Sequence, residues 1–260
     1  MKNFRLKIIL SFLLIFCTSI NSQNKYNFDQ FIEDGGKIFE RPVKWNTKDW
    51  TTLGLFSLST YLIMNYDDDI KYYIQTKRNN SDNFLMKFGT YYGEPFVPLI
   101  AALGFYTHGV SADNKANRIV AFEITEAFLY TAILTTFTKY AFGRERPFLA
   151  KSGFEFHPFS FRNNDYMSFF SGHTSSAFSL STILAENTTN NTLKVIAYVP
   201  AFITGFSRIY HNNHWTSDVF MGAIAGYFVG KFVHDLHKEK DENVYSAEST
   251  TPLINIVIPF

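Results

Sequence analysis

Apolar residues along the 260-residue chain gather into long stretches that are separated by shorter polar segments. Six of these stretches have the length and the residue spacing of helices rather than of strands. The pattern predicts helices over Trp50–Tyr66, Phe84–Tyr106, Arg118–Phe142, His173–Glu186, Leu193–Tyr210 and Trp215–Leu236. We therefore expect an all-α fold with a six-helix core bundle.

The polar segments between these helices give rise to separate expectations. Residues 67–82 begin with three aspartates and predict a solvated loop. Residues 143–170 form a long link rich in Arg, Asn, Pro and Phe, and such links often shape the entrance to a site. Within this link, Arg144 is expected to face solvent or a lipid headgroup. Inside the third helix, Glu123 and Glu126 are interpreted as a polar stripe, with a position facing the bundle interior as the alternative.

The first 22 residues have the pattern of a secretory signal peptide. Three basic residues precede an apolar run over residues 8–16, and small and polar residues follow as far as Ser22. We predict that this leader is cleaved, with a retained anchor as the alternative. The chain is then divided into a signal peptide (1–22), a peripheral segment (23–49), a helical core (50–237) and a C-terminal tail (238–260). Export would place the core outside the cytoplasm.

Composition leaves two environments open for the helical core. Hydrophobic residues make up 46% of the chain and aromatic residues 18%, which suits helices that meet lipid or its interface. The mean hydropathy of −0.07 is nevertheless low for a protein made wholly of spanning helices. We expect a membrane-embedded bundle, with a soluble exported protein as the alternative. The net charge of +1, with scattered Lys and Arg, excludes nucleic acid as a partner.

The first group of candidate site residues lies at the end of the third predicted helix. Lys139 is in its last turn, and Arg146 follows directly before Pro147, which prevents the helix from continuing. Two cations in a helix end and its following loop can converge on one anion. Basic residues also flank apolar helices routinely, so this pair does not by itself indicate a site.

A second group precedes the fourth predicted helix. Ser171, Gly172 and His173 are followed by further small residues, and a helix N-terminus of this kind is an anion site through its free N–H groups and its dipole. His173 would lie at its edge, where it could pass a proton to a leaving oxygen. A helix cap of Ser and Thr beside an incidental histidine explains the same residues equally well.

The third group lies around the start of the sixth predicted helix. His214 and Asp218 are four residues apart and share one face of a helix. A carboxylate bonded to one imidazole nitrogen fixes the tautomer and leaves the other nitrogen nucleophilic. Arg208 supplies a planar fork for phosphate oxygens. The structural alternative is a surface histidine with an acidic residue in the first helical turn.

Taken together, the three groups form the patterns Lys-x6-Arg-Pro, Ser-Gly-His and Ser-Arg-x5-His-x3-Asp, in this order. In this respect the chain resembles the type 2 phosphatidic acid phosphatase superfamily, which includes lipid phosphate phosphatases, class A acid phosphatases and vanadium haloperoxidases. The resemblance covers roughly residues 50–236, and its motifs occupy residues 139–218. One departure is Phe170, which stands where the family usually has proline before Ser-Gly-His.

The resemblance implies a role for each matched residue. His214 would be the nucleophile, Asp218 would orient it, and His173 would protonate the leaving group and later activate water. The implied phosphate-binding residues are Lys139, Arg146, Ser171, Gly172 and Arg208. The family's metal independence implies that no cofactor is needed. Glu94 and His211 are given no role.

The expected function is hydrolysis of lipid phosphate monoesters or diphosphates through a phosphohistidine intermediate, at a bacterial-type membrane with the site facing the periplasm. The substrate would be a phosphorylated lipid or a small phosphate ester. Three alternatives remain: a soluble periplasmic acid phosphatase of broad specificity, a vanadate-dependent haloperoxidase, and a non-catalytic membrane or binding protein that retains the fold.

Overall fold

The structure, a computed structural model, describes residues 28–78, 83–160 and 164–248, without side chains from residue 239 onward. The chain forms two units, 1–45 and 46–260. The described part of the first unit contains helix α1 (Phe28–Glu40) and a 3-10 turn (Arg41–Lys44). The second unit contains α2 (Thr47–Met64), α3 (Asp67–Lys77), α4 (Phe84–Tyr92), α5 (Phe96–Ser111), α6 (Lys115–Phe142), α7 (Gly172–Glu186), α8 (Asn191–Tyr210) and α9 (Thr216–Glu248). The predicted signal peptide lies outside the described residues.

The all-α prediction is confirmed, because the described residues contain helices and one isolated bridge between Arg144 and Phe156 but no strand. Four of the six predicted helices are found with both ends close to those expected, and the sixth begins where expected. The second is divided into α4 and α5 at Gly93, Glu94 and Pro95, where Pro95 caps α5. A proline has no N–H for a preceding helical turn, so the chain changes direction there. Helix α9 continues to Glu248, well into the predicted tail.

The solvated loop predicted for residues 67–82 is wrong for most of its length. Residues Asp67–Lys77 form helix α3, and Asp67 is buried. Three aspartates in a first turn complement the positive end of the helix dipole, so the same residues that suggested a loop stabilise a helix start. The remaining residues 79–82 lie outside the described part of the chain.

Helix α7 lies at the centre of the second unit and packs against α6, α8 and α9. Almost all of its residues are buried, and many of them are serine or threonine. Three glycines one helical turn apart, Gly222, Gly226 and Gly230, line the face of α9 that meets α7. A Cβ at any of them would collide with α7, for example with the Ser175 carbonyl at Gly226. Small residues at this spacing allow two helices to approach closely.

Glu123 and Glu126 are buried inside the bundle, so the polar stripe is wrong and the alternative position in the bundle interior is confirmed. The Glu126 carboxylate lies 2.6 Å from Nε2 of His237, and the Glu123 carboxylate lies 3.3 Å from Nδ1 of His234. Asn187 also donates to Glu123, at 2.5 Å. Because a buried carboxylate must be paired, these contacts join α6 to α9 and explain why the glutamates do not face solvent.

Two helices of the described residues, α6 and the Thr216–Lys238 part of α9, are long and apolar enough to cross a membrane. Large apolar side chains also point outward elsewhere on the second unit. The most exposed on α2, α5, α6 and α8 are Leu55, Ile100, Phe137, Val195 and Phe202, each at 59–70% of full exposure.

Candidate active site

The residues singled out in the sequence come from four separate parts of the fold. Helix α6 carries Lys139 in its last turn and is closed by Gly143, which adopts a left-handed conformation (φ +58°) that glycine accepts without strain. The link after it carries Arg146. Helix α7 begins with Ser171 as its cap, helix α8 ends near Arg208, and α9 begins just after His214.

The N-terminus of α7 faces the end of α6. A Cβ on Gly172 would lie 3.9 Å from Cε of Lys139, so the lysine stem passes directly beside this glycine. The Ser171 hydroxyl oxygen accepts from the Thr174 hydroxyl at 2.9 Å, and its own hydrogen is left to donate. Lys139 donates to the Met167 carbonyl at 2.5 Å. A cation and a helix N-terminus therefore converge, as an anion site requires.

Arg146 and Arg208 complete a group of three cations. Arg146 donates to the carbonyls of Asn164 and Asn213, at 3.0 and 3.2 Å, and burial lowers its pKa. Arg208 is 7% exposed, donates only weakly to the Thr90 hydroxyl at 3.4 Å, and its Nε has no partner among the described residues. Among the described residues no carboxylate forms a salt bridge with Arg208, and a buried guanidinium in this state favours a bound anion.

His214 is buried at the start of α9, and its Nδ1 lies 3.5 Å from Oδ2 of Asp218. This distance is longer than an ordinary hydrogen bond. Burial lowers the pKa of His214 well below its usual value, and the charges of Lys139 and Arg146 act in the same direction. The nearby Asp218 carboxylate raises the pKa of His214 and so opposes these effects in part. The imidazole is therefore neutral at neutral pH, which is the form that can act as a nucleophile.

His173, the second residue of α7, faces Glu94 across the break between α4 and α5. Its Nε2 lies 3.3 Å from Oε1 of Glu94. Burial lowers the pKa of His173, and the hydrogen bond to Glu94 raises it in part. The positive charges of Arg208 and Lys139 also lower this pKa, so His173 lies near the cation group. Sequence reasoning left Glu94 without a role because no helix pattern links it to residue 173.

Arg144 contradicts the expectation that it faces solvent or a headgroup. It is completely buried and donates to Asp218 at 2.6 Å and to Asp67 at 2.8 Å. The guanidinium also donates to the Ser217 hydroxyl and to the Gly153 carbonyl. Arg144 and Asp67 can be buried only as a pair. Nothing in the sequence around either residue indicates that it is buried, so the sequence contains no usable signal for this arrangement.

His211, unassigned from the sequence, caps the end of α8. Its Nδ1 lies 2.9 Å from the Ser207 carbonyl and 3.5 Å from the Thr90 hydroxyl. Ser168 also belongs to the site although its position in the long link had no distinguishing pattern. Its hydroxyl donates to Oδ2 of Asp218 at 2.5 Å. All eight residues predicted for the site thus lie on elements that meet at one end of the bundle.

Comparison with known proteins agrees with the resemblance read from the motifs. Residues 121–242 match the model of the PAP2 superfamily. A lipid A 1-phosphatase of Porphyromonas gingivalis is 28% identical over an alignment of 211 residues that covers 77% of this chain and 42% of the relative. The chain therefore spans less than half the length of that relative.

Two solved structures are similar to the fold. One is a transmembrane PAP2 type phosphatidylglycerolphosphate phosphatase from Bacillus subtilis, with a TM-score of 0.50 and 20% identity over 75% of this chain and 96% of that chain. The other is LpxE from Aquifex aeolicus, with a TM-score of 0.48 and 22% identity over 65% of this chain and 94% of that chain. The Bacillus subtilis structure supports the all-helical architecture.

Proposed function

We propose that this chain is a member of the PAP2 superfamily and a phosphatase that hydrolyses phosphate monoesters or diphosphates of lipids through a phosphohistidine on His214. The observation that carries the proposal is the group of three cations, Lys139, Arg146 and Arg208, around a buried neutral imidazole. Arg208 carries the most weight, because its buried guanidinium has a free Nε and no carboxylate partner within the described residues.

The first chemical step is an in-line attack of the free ring nitrogen of His214 on phosphorus. A nitrogen–phosphorus bond forms while the bond from phosphorus to the leaving oxygen breaks, and His173 gives its proton to that oxygen. The three cations bind the non-bridging oxygens, whose charge they balance in the transition state. Asp218 stabilises the positive charge that develops on the imidazole ring.

The second step returns the enzyme to its starting state. His173, now neutral, takes a proton from a water molecule that attacks the phosphorus of the phosphohistidine. The nitrogen–phosphorus bond breaks and inorganic phosphate leaves with the new oxygen. With three side-chain cations in place, the residues of the site supply the charge that a metal would otherwise contribute, and we propose that no cofactor takes part.

The lipid nature of the substrate is supported by the surface of the protein. Exposed apolar side chains on α2, α5, α6 and α8 suit a bilayer better than water. The similar lipid A 1-phosphatase points in the same direction. We propose that the site faces the periplasm, in keeping with the predicted export of the chain.

The test is phosphate release by detergent-purified protein from phosphatidate, phosphatidylglycerolphosphate, a polyprenyl diphosphate, lipid A and p-nitrophenyl phosphate, each with and without EDTA. We expect preference for lipids and no effect of EDTA. His214→Ala should lower kcat by about a thousandfold or more, because it removes the nucleophile. His108→Ala, which changes an exposed histidine of α5, is the control.

Acid-labile, alkali-stable radiolabel on the protein, trapped during turnover of a labelled substrate, would identify the phosphohistidine. A His214→Ala variant that hydrolyses its substrate as fast as the parent would disprove the mechanism. Equal or better hydrolysis of p-nitrophenyl phosphate than of every lipid would instead favour the acid phosphatase of broad specificity.

A further inference from the structure

The carboxylate of Asp218 is held from two sides. Its Oδ2 accepts from the Ser168 hydroxyl at 2.5 Å and from the Trp215 backbone N–H at 3.0 Å, and it faces His214. Its Oδ1 accepts from Nη1 of Arg144 at 2.6 Å. Arg144 is thus the charged partner that fixes the side of Asp218 turned away from the imidazole.

Arg144 is itself fixed by a carboxylate from a distant part of the chain. Its Nη2 donates to Oδ2 of Asp67 at 2.8 Å, and both side chains are fully buried. Nε of Arg144 donates to the Gly153 carbonyl at 2.9 Å, so all three nitrogens of the guanidinium are hydrogen-bonded. A planar guanidinium that is bound in this way cannot rotate without breaking several hydrogen bonds at once.

Asp67 also holds the first turn of α9. Its Oδ1 accepts from the backbone N–H of Ser217 at 3.0 Å, and its Oδ2 accepts from the Ser217 hydroxyl. The first N–H groups of a helix have no partner within the helix, so Asp67 acts as a cap supplied from α3. The helix that carries Asp218 is therefore fixed at its start by the same carboxylate that fixes Arg144.

We infer that Arg144 and Asp67 are positioning residues for the proposed nucleophile, which they hold in its reactive orientation by fixing Asp218. Neither residue touches the substrate. Each acts through Asp218, whose Oδ2 faces Nδ1 of His214 and selects the tautomer and the ring orientation of that imidazole. This inference rests on the proposed function only in that it assumes His214 to be the reacting group.

Two conservative substitutions separate this role from a general effect on folding. Arg144→Lys keeps the positive charge, but a single ammonium cannot reach both carboxylates with the geometry of the fork. Asp67→Asn keeps size and shape, yet both oxygens of Asp67 accept hydrogen bonds, so an amide NH2 would face a donor wherever it is placed. Asp69→Asn, an exposed aspartate of the same helix turn, is the matched control.

We expect both variants to lower kcat by about 10- to 100-fold, the range found for partners one step removed from a reacting group. KM and the inhibition constant of inorganic phosphate should stay within about twofold of the parent's values, because the three cations that bind phosphate are unchanged. Asp69→Asn should match the parent. A kcat within about twofold of the parent's in folded Arg144→Lys and Asp67→Asn would overturn the inference, as would a rise in the phosphate inhibition constant equal to the fall in kcat.

The tautomer of His214 gives a second readout, which does not depend on turnover. In protein labelled with 15N-histidine, the His214 signals, identified from His214→Ala, should show one tautomer in the parent and a mixture in Asp67→Asn. Ser217→Ala removes the hydroxyl that contacts both Arg144 and Asp67, so it should show a smaller fraction of the second tautomer. This variant replaces the other two in the test if they do not fold. An unchanged single tautomer in the variants overturns the inference. If the parent releases no phosphate, the proposed function fails while the tautomer measurement still decides the positioning role.

Discussion

At the residue scale, the two histidines of the site, His214 and His173, lie in different surroundings. His214 is 2% exposed and lies beside Asp218, whereas His173 is 29% exposed and lies beside Glu94. Burial lowers the pKa of both. A nucleophile benefits from this shift because it must be neutral, but a general acid must be protonated. Glu94 therefore counteracts the effect of burial on the pKa of His173, the histidine that has to donate a proton.

This difference predicts how the pH profile responds to Glu94→Gln. The hydrogen bond and the charge of Glu94 both raise the pKa of His173, so their loss lowers it further. Protonated His173 is present only below its pKa, and the rate falls as the pH rises through that value. The alkaline limb of kcat/KM should therefore move to lower pH, and the rate at pH 7 should decrease. A pH series of phosphate release from p-nitrophenyl phosphate measures the shift.

Glu145→Gln is the matched control for this series. Glu145 faces an exposed histidine, His157, at 3.4 Å, so the substitution changes a similar pair outside the cation group. Its pH profile should coincide with the parent's. If Glu94→Gln lowers the rate equally at every pH, Glu94 acts on something other than the protonation of His173.

At the element scale, the position of the site depends on how closely α7 and α9 pack. The backbone N–H of Ser171 donates to the Asp218 carbonyl at 3.1 Å, so the start of α7 is bonded directly to the first turn of α9. Gly222 faces this junction, and Gly226 follows it one turn later against Ser175. The short distance between the helices thus brings the anion site of α7 to His214.

Gly226→Ala tests this packing. Alanine favours a helix over glycine by about 1 kcal/mol. At Gly226, however, the added methyl group would overlap the Ser175 carbonyl, and overpacking costs about 1–3 kcal/mol. We expect a lower melting temperature in detergent and a reduced kcat, since α9 must move away from α7. Gly104→Ala on α5 adds the same methyl group where nothing lies within 4 Å, so it should leave the protein as stable or more stable. Equal melting temperatures for the two variants would contradict the packing argument.

The sequence predicted the elements better than it predicted their partners. Periodicity located α2, α6, α7, α8 and α9, and the motif spacing identified eight candidate residues that the fold brings to one end of the bundle, but it missed Glu94, Arg144 and Ser168. The solvated loop at residues 67–82 and the exposed Arg144 were wrong for one shared reason. Asp67 and Arg144 are both buried because they form an ion pair with each other. Hydropathy along a single segment contains no information about a partner 77 residues away. The pairing of Glu123 and Glu126 with histidines of α9 was missed for the same reason.

At the scale of the whole molecule, several charged residues lie inside the second unit, while many apolar residues lie on its outside. The interior holds Arg144 with its two aspartates and two Glu–His pairs, while Leu55, Val195 and Phe202 are more than half exposed. Proteins in water rarely leave large apolar patches uncovered. In a bilayer this distribution is favourable, because lipid covers the outer faces and the buried ion pairs remain shielded from it.

The distribution predicts that the helical core itself, and not only a leader, holds the protein in the membrane. We expect the chain to stay in the membrane pellet after washing with alkaline carbonate, which removes peripheral proteins, and to dissolve only with detergent. Replacing residues 1–22 by a foreign signal peptide with an efficient cleavage site should not change this result, since the exposed apolar faces are on α2, α5, α6 and α8. Release of this processed chain by carbonate, followed by elution as a single species without detergent, would show that the outer faces are compatible with water and would favour the soluble phosphatase.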